Sequence, residues 1–428
     1  MTRSLNAGQQ AATEGFFQFL FSDEKEFIIS GPPGVGKTHL MGSMIDDTLP
    51  RYFETCSLMG IEPLFDEVQM TATTNKAADQ LSMATGRPTS TIQSFLRLKV
   101  QDDYATGQSK LIRRQDWIVN QKKILFIDEC SLIDTPLDIA TSEGTHECKL
   151  VYVGDHCQLS PIREPISPIY RRPIPFYELT EPMRTKNPDL LALNAQLRET
   201  VETGVFKPIK VIPGVIDHLT PDEMEYAVSY CFTNPDNDHR IAAFTNKRVM
   251  EYNEHIREIR KLGHEYVAGE HLINNNALTL KKRILSVEEE VKIINVSSTI
   301  ENIEIDANVI FQIRHAVVET KHGERFDVKL PVDREHHLNL MKYYKRLKMW
   351  PTYYKLRNDY ADLRQRDAST VHKLQGSTCE FIFIDLGNIS TCNVANQVAR
   401  MLFVAASRCR SRIFLYGDLA PKYGGLIF

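Results

Sequence analysis

The chain of 428 residues lacks the cysteine spacing that would indicate a disulfide scaffold or a zinc site. Its eight cysteines never form a Cys-x-x-Cys pair, and none has histidine neighbours at zinc-finger spacing. Isolated thiols of this kind are typical of reducing compartments. Since no stretch approaches about eighteen unbroken apolar residues and no signal-type segment opens the sequence, we predict a cytoplasmic protein that does not associate with membranes.

An excess of positive charge is also missing. The 51 lysines and arginines are outnumbered by 55 aspartates and glutamates, which leaves a formal net charge of −4. Any nucleic acid would therefore have to bind a local patch, because the overall field does not favour a polyanion. Hydrophobic residues make up 42% of the chain. At about 100–200 residues per domain, the length predicts more than one folded domain.

What the chain does contain is a glycine loop between a strand and a helix. Phe27–Ser30 is an apolar, strand-like run, and His39–Leu49 favours a helix. Between them, Gly31–Thr38 has the spacing of a loop whose backbone N–H groups surround a triphosphate. Lys37 would meet the β- and γ-phosphate oxygens and the Thr38 hydroxyl would meet magnesium, beside the positive end of the helix. The segment predicts nucleoside triphosphate binding.

Two more apolar runs end in polar residues. Ile124–Ile127 is followed by Asp128 and Glu129, and Leu150–Val153 leads to Gln158. Ligands of parallel α/β sheets lie at this edge of the sheet. Adjacent carboxylates at a strand end are costly unless a cation or a proton transfer requires them. Asp128 would therefore hold magnesium and Glu129 would activate water.

Residues 97–114 alternate between polar and apolar side chains on both sides of a glycine turn, which predicts a β-hairpin. Five basic residues and Tyr104 near the tip would suit a wedge against bases, although this segment alone favours a charged hairpin in solvent. We assign no element to residues 50–66, which contain Pro50, Gly60 and Pro63, and interpret them as an irregular insertion.

The second half predicts another α/β layer, without a glycine phosphate loop. Its buried-strand runs are Arg240–Phe244, Glu380–Ile384 and Arg412–Tyr416. Short alternating runs between Glu270 and Pro331 predict a small β-barrel. Residues 335–366 then mix basic and aromatic side chains, a composition suited either to packing or to gripping a nucleic-acid strand.

Taken together, these segments resemble the helicase motifs of superfamily 1, and most of all its RecD-like branch, which includes small single-stranded-DNA motors of bacteriophages. The set as a whole is specific, although no single member is. In chain order, the matching segments are Gln9, Gly31–Thr38, Asp128–Glu129, Gly154–Gln158, Glu178–Arg184, Ala243–Lys247, Ser369–Gly376 and Ala405–Arg408.

The resemblance implies two RecA-like parallel-sheet domains, with a β-hairpin (pin) inserted in the first. An SH3-like β-barrel with a helical stalk is inserted in the second. The implied boundaries are 1–180 for the first domain including the pin at 96–122, 181–269 with 367–428 for the second, and 270–366 for the barrel and stalk.

The resemblance also implies the site residues. Catalysis would use Lys37, Glu129 and Gln158 together with two arginine fingers, Arg184 and Arg408. Thr38 and Asp128 would hold Mg²⁺. ATP would be bound by Gln9, which would read the adenine, and by Gly31, Pro32, Pro33, Gly34, Val35, Gly36, Lys37, Thr38, His39, Asp128, Gln375 and Gly376. DNA would be contacted by Thr74, Asn75, Lys76, Thr91, Gln93, Tyr104, Thr370 and His372.

The function implied is that of an ATP-dependent DNA helicase that moves 5′ to 3′ on single-stranded DNA and unwinds forked duplexes. The resemblance further implies a monomer that works with replication or recombination proteins. Two alternatives share part of the pattern: a small-molecule kinase would have the same glycine loop, and a nucleic-acid clamp without turnover would have the same basic patches. Neither would need Gln158 and two distant arginines.

Overall fold

The computed structural model describes residues 5–65, 67–161, 164–181, 185–263, 265–280, 283–306 and 309–428. These form two compact units. The first comprises Met1–Lys99, Arg113–His218 and Val371–Phe428, and the second comprises Val100–Ile112 and Leu219–Thr370. Among the described helices, none has both the length and the apolar composition that a membrane span requires.

The α-helices of the described residues range from single turns to four turns. In chain order they are α1 (Ala7–Phe21), α2 (Lys37–Ser43), α3 (Leu49–Met59), α4 (Asn75–Thr85), α5 (Ile92–Phe95), α6 (Thr135–Glu143), α7 (Pro188–Thr203), α8 (Pro221–Phe232), α9 (Asn246–Ile259), α10 (Arg334–Arg346), α11 (Trp350–Asp359), α12 (Val371–Leu374), α13 (Leu386–Ile389) and α14 (Ala395–Ser407).

The strands are short, as is usual in α/β domains. In chain order they are β1 (Glu26–Ser30), β2 (Glu67–Ala72), β3 (Thr89–Thr91), β4 (Leu98–Asp102), β5 (Ser109–Arg113), β6 (Asn120–Gln121), β7 (Lys123–Asp128), β8 (Thr145–His146), β9 (Lys149–Gly154), β10 (Phe176–Glu178), β11 (Ile209–Lys210), β12 (Ile216–Leu219), β13 (His239–Ala243), β14 (His271–Asn274), β15 (Leu278–Leu280), β16 (Arg283–Leu285), β17 (Glu290–Val296), β18 (Glu301–Asp306), β19 (Val309–Thr320), β20 (Arg325–Pro331), β21 (Leu363–Gln365), β22 (Ala368–Thr370), β23 (Cys379–Asp385), β24 (Cys409–Tyr416) and β25 (Leu426–Ile427).

The first unit is built on a parallel sheet in the order β10-β1-β9-β7-β2-β3. Its central strands are apolar on both faces because helices cover both sides, which is the usual arrangement of parallel sheets. Phe16 of α1 is fully buried, and its ring lies 6.1 Å from that of Phe27 and 5.7 Å from that of Phe126. The predicted parallel α/β class is confirmed.

The interpretation of residues 50–66 as an irregular insertion was wrong for most of that stretch. Leu49–Met59 is the helix α3, which continues the helical chain that begins at Lys37. Pro50 does not interrupt the helical path because it lies where the π-helical turn Met44–Thr48 meets α3, at a point where the regular α-helical hydrogen-bond pattern is already broken. Gly60 ends the helix with a φ of 66°, and Tyr52 is buried in the core.

The first unit also contains a second group of strands. β23 and β24 are parallel neighbours, and β12 follows β24 in the strand order. Helix α14 is buried over ten consecutive residues, Val398–Ser407. A helix that is covered on all sides lies inside the protein rather than on its surface.

The second unit combines a parallel strand pair with an antiparallel sheet. β13 and β22 are parallel neighbours. Helix α9 is attached to β22, because the side chain of Asn253 in α9 donates to the Ala368 carbonyl in β22 at 3.0 Å. The antiparallel sheet has the order β18-β19-β17-β14-β21, and β20 pairs with β19. Helices α10 and α11 pack on this sheet through Tyr344 and Leu356, which contact Phe311 in one apolar cluster.

A hairpin formed by β4 and β5 contacts the helical stalk, which we define as α10 and α11. Gly107 in the turn has a φ of 69°, and a Cβ there would lie 2.4 Å from the Trp350 ring. The Tyr104 ring lies 5.2 Å from that of Tyr354. Because glycine alone fits this turn and this contact, the tip of the hairpin is fixed against the stalk.

We expect the core of the first unit to depend on Phe16. Phe16→Ala should lower the free energy of unfolding by about 3–5 kcal/mol, because a large cavity would open between α1 and the sheet. Phe53→Ala is the matched control, since that ring is 37% exposed on α3. Urea denaturation measures both changes. Equal, small losses for the two variants would contradict the assignment of Phe16 to the core.

Candidate active site

The glycine loop after β1 has a backbone that larger residues would disturb. Gly34 and Gly36 have φ angles of 86° and 81°, in the left-handed region that favours glycine. A Cβ on Gly31 would lie 2.5 Å from the Leu179 carbonyl oxygen. Lys37 begins α2, and its ammonium group donates to the carbonyls of Gly31 at 2.6 Å and Pro32 at 3.1 Å. The lysine is thus held over the loop.

Asp128 and Glu129 follow directly at the end of β7. Burial, together with the neighbouring Glu129 carboxylate, raises the pKa of Asp128 to about 7, while Lys37 acts in the opposite direction. A divalent cation would remove this repulsion. The Asp128 carboxylate and the Thr38 hydroxyl provide the hard oxygen ligands that Mg²⁺ prefers, so the donor set fits the ion.

These residues line one cavity of about 320 Å³. The glycine loop forms one side, and α4 contributes a second side through Ala77, Gln80, Leu81 and Ala84. The candidate site residues at this cavity are Pro33, Gly34, Gly36, Lys37, Thr38, Asp128, Glu129, Gln158, Gly376 and Arg408. The structure therefore brings together Lys37, Thr38, Asp128, Glu129, Gln158 and Arg408 among the predicted phosphate, metal and catalytic residues.

Arg408 meets Gln158 in this cavity. Its guanidinium donates to the Gln158 side-chain oxygen at 3.1 Å, and also to the Val404 carbonyl at 3.1 Å. Arg408 is only 2% exposed, and this burial lowers the pKa of its guanidinium. The group still carries its charge because the ordinary pKa of arginine is very high. A buried cation beside a triphosphate-sized cavity is suited to stabilising charge on a phosphoryl group.

Gln375 contacts the proposed general base directly. Its amide donates to a Glu129 carboxylate oxygen at 3.1 Å and to the Ser131 hydroxyl at 3.5 Å. The Gln375 side-chain oxygen is buried and has no hydrogen-bond partner among the described residues. The amide therefore orients Glu129 and leaves an acceptor available beside it.

Gln9 lies beneath the glycine loop. Its side-chain amide donates to the Val35 carbonyl at 3.2 Å, and its side-chain oxygen accepts from the Asn6 backbone N–H at 3.1 Å. Asn6 in turn caps α1, so the two residues form a capping box. Recognition of adenine by Gln9 stays a prediction. His39 lies in α2, two residues after the loop lysine.

The candidate DNA contacts of the first unit lie where helices begin. Thr74 caps α4 and accepts from the Ala77 N–H at 3.2 Å, and Asn75 is the first residue of that helix. The Lys76 ammonium donates to the Lys373 carbonyl at 3.3 Å. Thr91 caps α5 in the same manner. Gln93, also in α5, has a buried side-chain oxygen that no described residue hydrogen bonds.

The remaining candidates are divided between the two units. His372 lies in α12 of the first unit, 3.4 Å from the Gln397 side chain, and burial lowers the pKa of its imidazole. Thr370 ends β22, and Tyr104 lies at the hairpin tip, both in the second unit. Arg184 lies outside the described residues.

Two arginines that the sequence did not single out hold the Gln158 loop. Arg400 of α14 donates to the His156 carbonyl at 2.6 Å and to the Gln158 carbonyl, and forms no ion pair with a described residue. Arg198 of α7 binds the fully buried Asp155 at 2.7 Å. No motif spacing identifies these residues, because their partners are backbone atoms or side chains distant in the sequence.

The fold and the site define a P-loop ATPase with two RecA-like domains, and comparisons support this class. A model described as an AAA domain matches residues 4–208, and one described as a UvrD-like helicase C-terminal domain matches residues 367–416. Pif1 helicase from Bacteroides in complex with ADP-AlF3 and ssDNA has the same fold, with a TM-score of 0.53 at 13% identity, covering 100% of this chain and 95% of that chain. A Pif1 structure from work on DNA unwinding at forked dsDNA by two coordinating Pif1 helicases gives a TM-score of 0.51 at 15% identity, covering 100% of this chain and 94% of that chain.

Among curated proteins, the chain is similar to the ATP-dependent DNA helicase Dda of Enterobacteria phage T4. The two are 24% identical, over 96% of this chain and 98% of Dda. An uncharacterized protein of Acanthamoeba polyphaga mimivirus is 22% identical, over 95% of this chain and 99% of that protein. The predicted resemblance to Dda is thus confirmed.

We expect Arg400 to control the position of Gln158. Arg400→Met would leave the carbonyls of His156 and Gln158 without their buried donor, so ATP turnover should fall at least about tenfold while nucleotide binding is retained. The matched control is Arg410→Met, which removes an exposed arginine paired with Glu380 at 3.3 Å. Steady-state ATPase kinetics and nucleotide titration test this. Normal turnover in Arg400→Met would contradict it.

Proposed function

We propose that this chain is an ATP-dependent DNA helicase that translocates on single-stranded DNA, in the 5′ to 3′ direction, and unwinds forked duplexes. One observation carries the ATPase part. Lys37, Asp128, Glu129, Gln158 and Arg408 line a single cavity, and Arg408 is hydrogen bonded to Gln158. A phosphate loop, an acidic pair and a buried arginine in one cavity are the parts that phosphoryl transfer to water requires.

The residues would divide the work by their chemistry. Lys37 would neutralise charge on the β- and γ-phosphates, and Glu129 would accept a proton from the attacking water. Bound Mg²⁺, held by Thr38 and Asp128, would neutralise developing charge on the phosphate oxygens. Arg408 and Arg184 would act as arginine fingers, and Gln158 would sense the γ-phosphate beside Arg408.

The DNA part of the proposal rests on relatives and on the position of the candidate contacts. Dda is an ATP-dependent DNA helicase by name, one Pif1 structure is a complex with ssDNA, and another concerns DNA unwinding at forked dsDNA. On this chain, we propose contacts to the strand from Thr74, Asn75, Lys76, Thr91, Gln93, Thr370 and His372. The first of these lie at helix N-termini, where backbone N–H groups and the helix dipole favour phosphates.

We also propose the domain boundaries implied by the motifs: residues 1–180 with a pin at 96–122, then 181–269 with 367–428, and an inserted 270–366. The antiparallel sheet from β14 to β21 and the stalk fall within that insertion. The contact between the pin and the stalk favours the pin as a wedge, because a wedge must hold its position when the duplex meets it. Asp102 at the base of the turn reinforces it by binding Arg357 at 3.5 Å and Asn358 at 3.2 Å.

The outer face of the stalk suits a polyanion. Its exposed cations form no ion pair with a described residue, in contrast to the net negative charge of the whole chain. They are Lys342, Lys345, Arg346, Lys348 and Lys355. DNA phosphates are the natural counter-charge for such a surface.

One assay decides the reaction class: ATP turnover with and without a single-stranded oligonucleotide. A motor is stimulated, a small-molecule kinase is indifferent to DNA, and a clamp shows no turnover. Forked substrates with either a 5′ or a 3′ single-stranded tail then give the direction of movement. Unwinding of the 3′-tailed fork alone would contradict the proposed polarity.

We expect Glu129→Gln to separate binding from hydrolysis. The amide keeps the size of the side chain but cannot accept a proton, so turnover should fall by about 10²–10⁴-fold while ATP still binds. Turnover and nucleotide affinity are measured on one preparation. Weak ATP binding with a normal rate at saturation would instead mean that Glu129 has a structural role.

We expect a shortened hairpin tip to unwind poorly. Deleting residues 104–108 removes the contacts to Trp350 and Tyr354, so duplex unwinding should fall at least about tenfold, a barrier change of about 1.4 kcal/mol. DNA-stimulated ATPase should stay within about threefold, since it depends on the ATPase core. Val100→Thr is the control, because Val100 is exposed on β4 away from the tip. Equal retention of both activities would exclude a wedge, and equal loss would indicate misfolding.

A further inference from the structure

Thr73 connects the candidate DNA loop with the proposed general base. It is the first residue after β2, and the next residue, Thr74, caps α4. Its backbone N–H donates to the Asp128 carbonyl at 3.2 Å, and its hydroxyl donates to the Glu129 carbonyl at 3.0 Å. Thr73 is 8% exposed, so both hydrogen bonds are shielded from water. One residue therefore binds the backbone of both active-site carboxylates.

Glu129, whose carbonyl accepts the hydrogen bond from the Thr73 hydroxyl, has a strained backbone. Glu129 has a φ of 53°, a left-handed backbone conformation that a non-glycine residue adopts only when its surroundings hold it. The Leu132 N–H also donates to the Glu129 carbonyl, at 3.1 Å, but that contact comes from within the same turn. Thr73 supplies a hydrogen bond from a different segment, the loop after β2. A shift of the 73–76 loop would therefore act on a residue with a strained backbone.

We propose that Thr73 is a positioning residue that makes ATP hydrolysis respond to DNA, an inference that rests on the proposed helicase function. A DNA strand bound at Thr74, Asn75 and Lys76 would fix the position of the loop. Through its hydrogen bond, the Thr73 hydroxyl would then restrict the Glu129 backbone. The carboxylate of Glu129 then takes its productive position more often. DNA changes the rate only because it favours one loop position over the other.

The coupling has a reciprocal consequence. If DNA also changes the nucleotide affinity of the ATP site through Thr73, a bound nucleotide must change the affinity for DNA by the same factor. Loss of the hydroxyl should therefore weaken the coupling in both directions. A side chain that merely stabilises the fold would not link the two measurements.

The test compares three variants at two threonines that are two positions apart. Thr73→Val removes the hydroxyl and keeps the shape, and Thr73→Ser keeps the hydroxyl. Thr71→Val is the matched control, because the buried Thr71 hydroxyl also bridges β2 and β7, to the Phe126 carbonyl at 2.9 Å, without reaching Glu129. The readout is the ratio of the turnover number with a saturating single-stranded oligonucleotide to that without it.

We expect Thr73→Val to lower this ratio at least about fivefold, with Thr73→Ser and Thr71→Val close to wild type. A non-hydrolysable ATP analogue should likewise lose its effect on oligonucleotide affinity in Thr73→Val alone. Should the valine variant fail to fold, Thr73→Ala removes the same hydroxyl. Equal loss of basal and stimulated turnover would show that the hydroxyl only supports Glu129, and an unchanged ratio would exclude any coupling role. A wild-type enzyme without stimulation would instead contradict the proposed function.

Discussion

The repulsion between Asp128 and Glu129 at the end of β7 is the constraint on which the active site depends. Burial makes the two negative charges still less favourable, and it raises the pKa of Asp128. The surrounding groups offset this cost: Lys37 faces the pair from the glycine loop, and Gln375 donates to Glu129. A site of this kind is stable only when cations approach it, which is also the condition for binding a nucleotide with its metal.

Much of this site could be predicted from sequence because its parts are local. The glycine spacing of residues 31–36 follows from the backbone conformation, and the acidic pair follows directly after a buried apolar run. The parallel α/β class was predictable for the same reason, because a buried strand such as Ile124–Ile127 can be recognised from its own residues alone. In each of these patterns, the physical cause lies in residues that are close together in the sequence.

The parts that were missed depend on contacts between distant segments. Helix α3 was not predicted because Pro50, Gly60 and Pro63 were given more weight than the helical spacing of Leu49, Tyr52 and Cys56, whose burial stabilises the helix. The role of Arg400 was invisible because its partners are main-chain carbonyls in another segment. The contact of Gly107 with Trp350 joins residues more than two hundred positions apart. Such pairings arise only when the chain is folded.

The burial of α14 has a consequence for how its sequence can vary. Arg400 and Arg408 bind the backbone and the side chain of Gln158 from the same end of the chain, eight positions apart on one continuous α-helical path. At about 1.5 Å of rise and 100° of rotation per residue, the helix acts as a ruler between the two guanidinium groups. Substitutions between the two arginines change packing but leave their spacing the same. A single inserted or deleted residue would turn one arginine away from the loop, so the length of this segment is under stricter control than its composition.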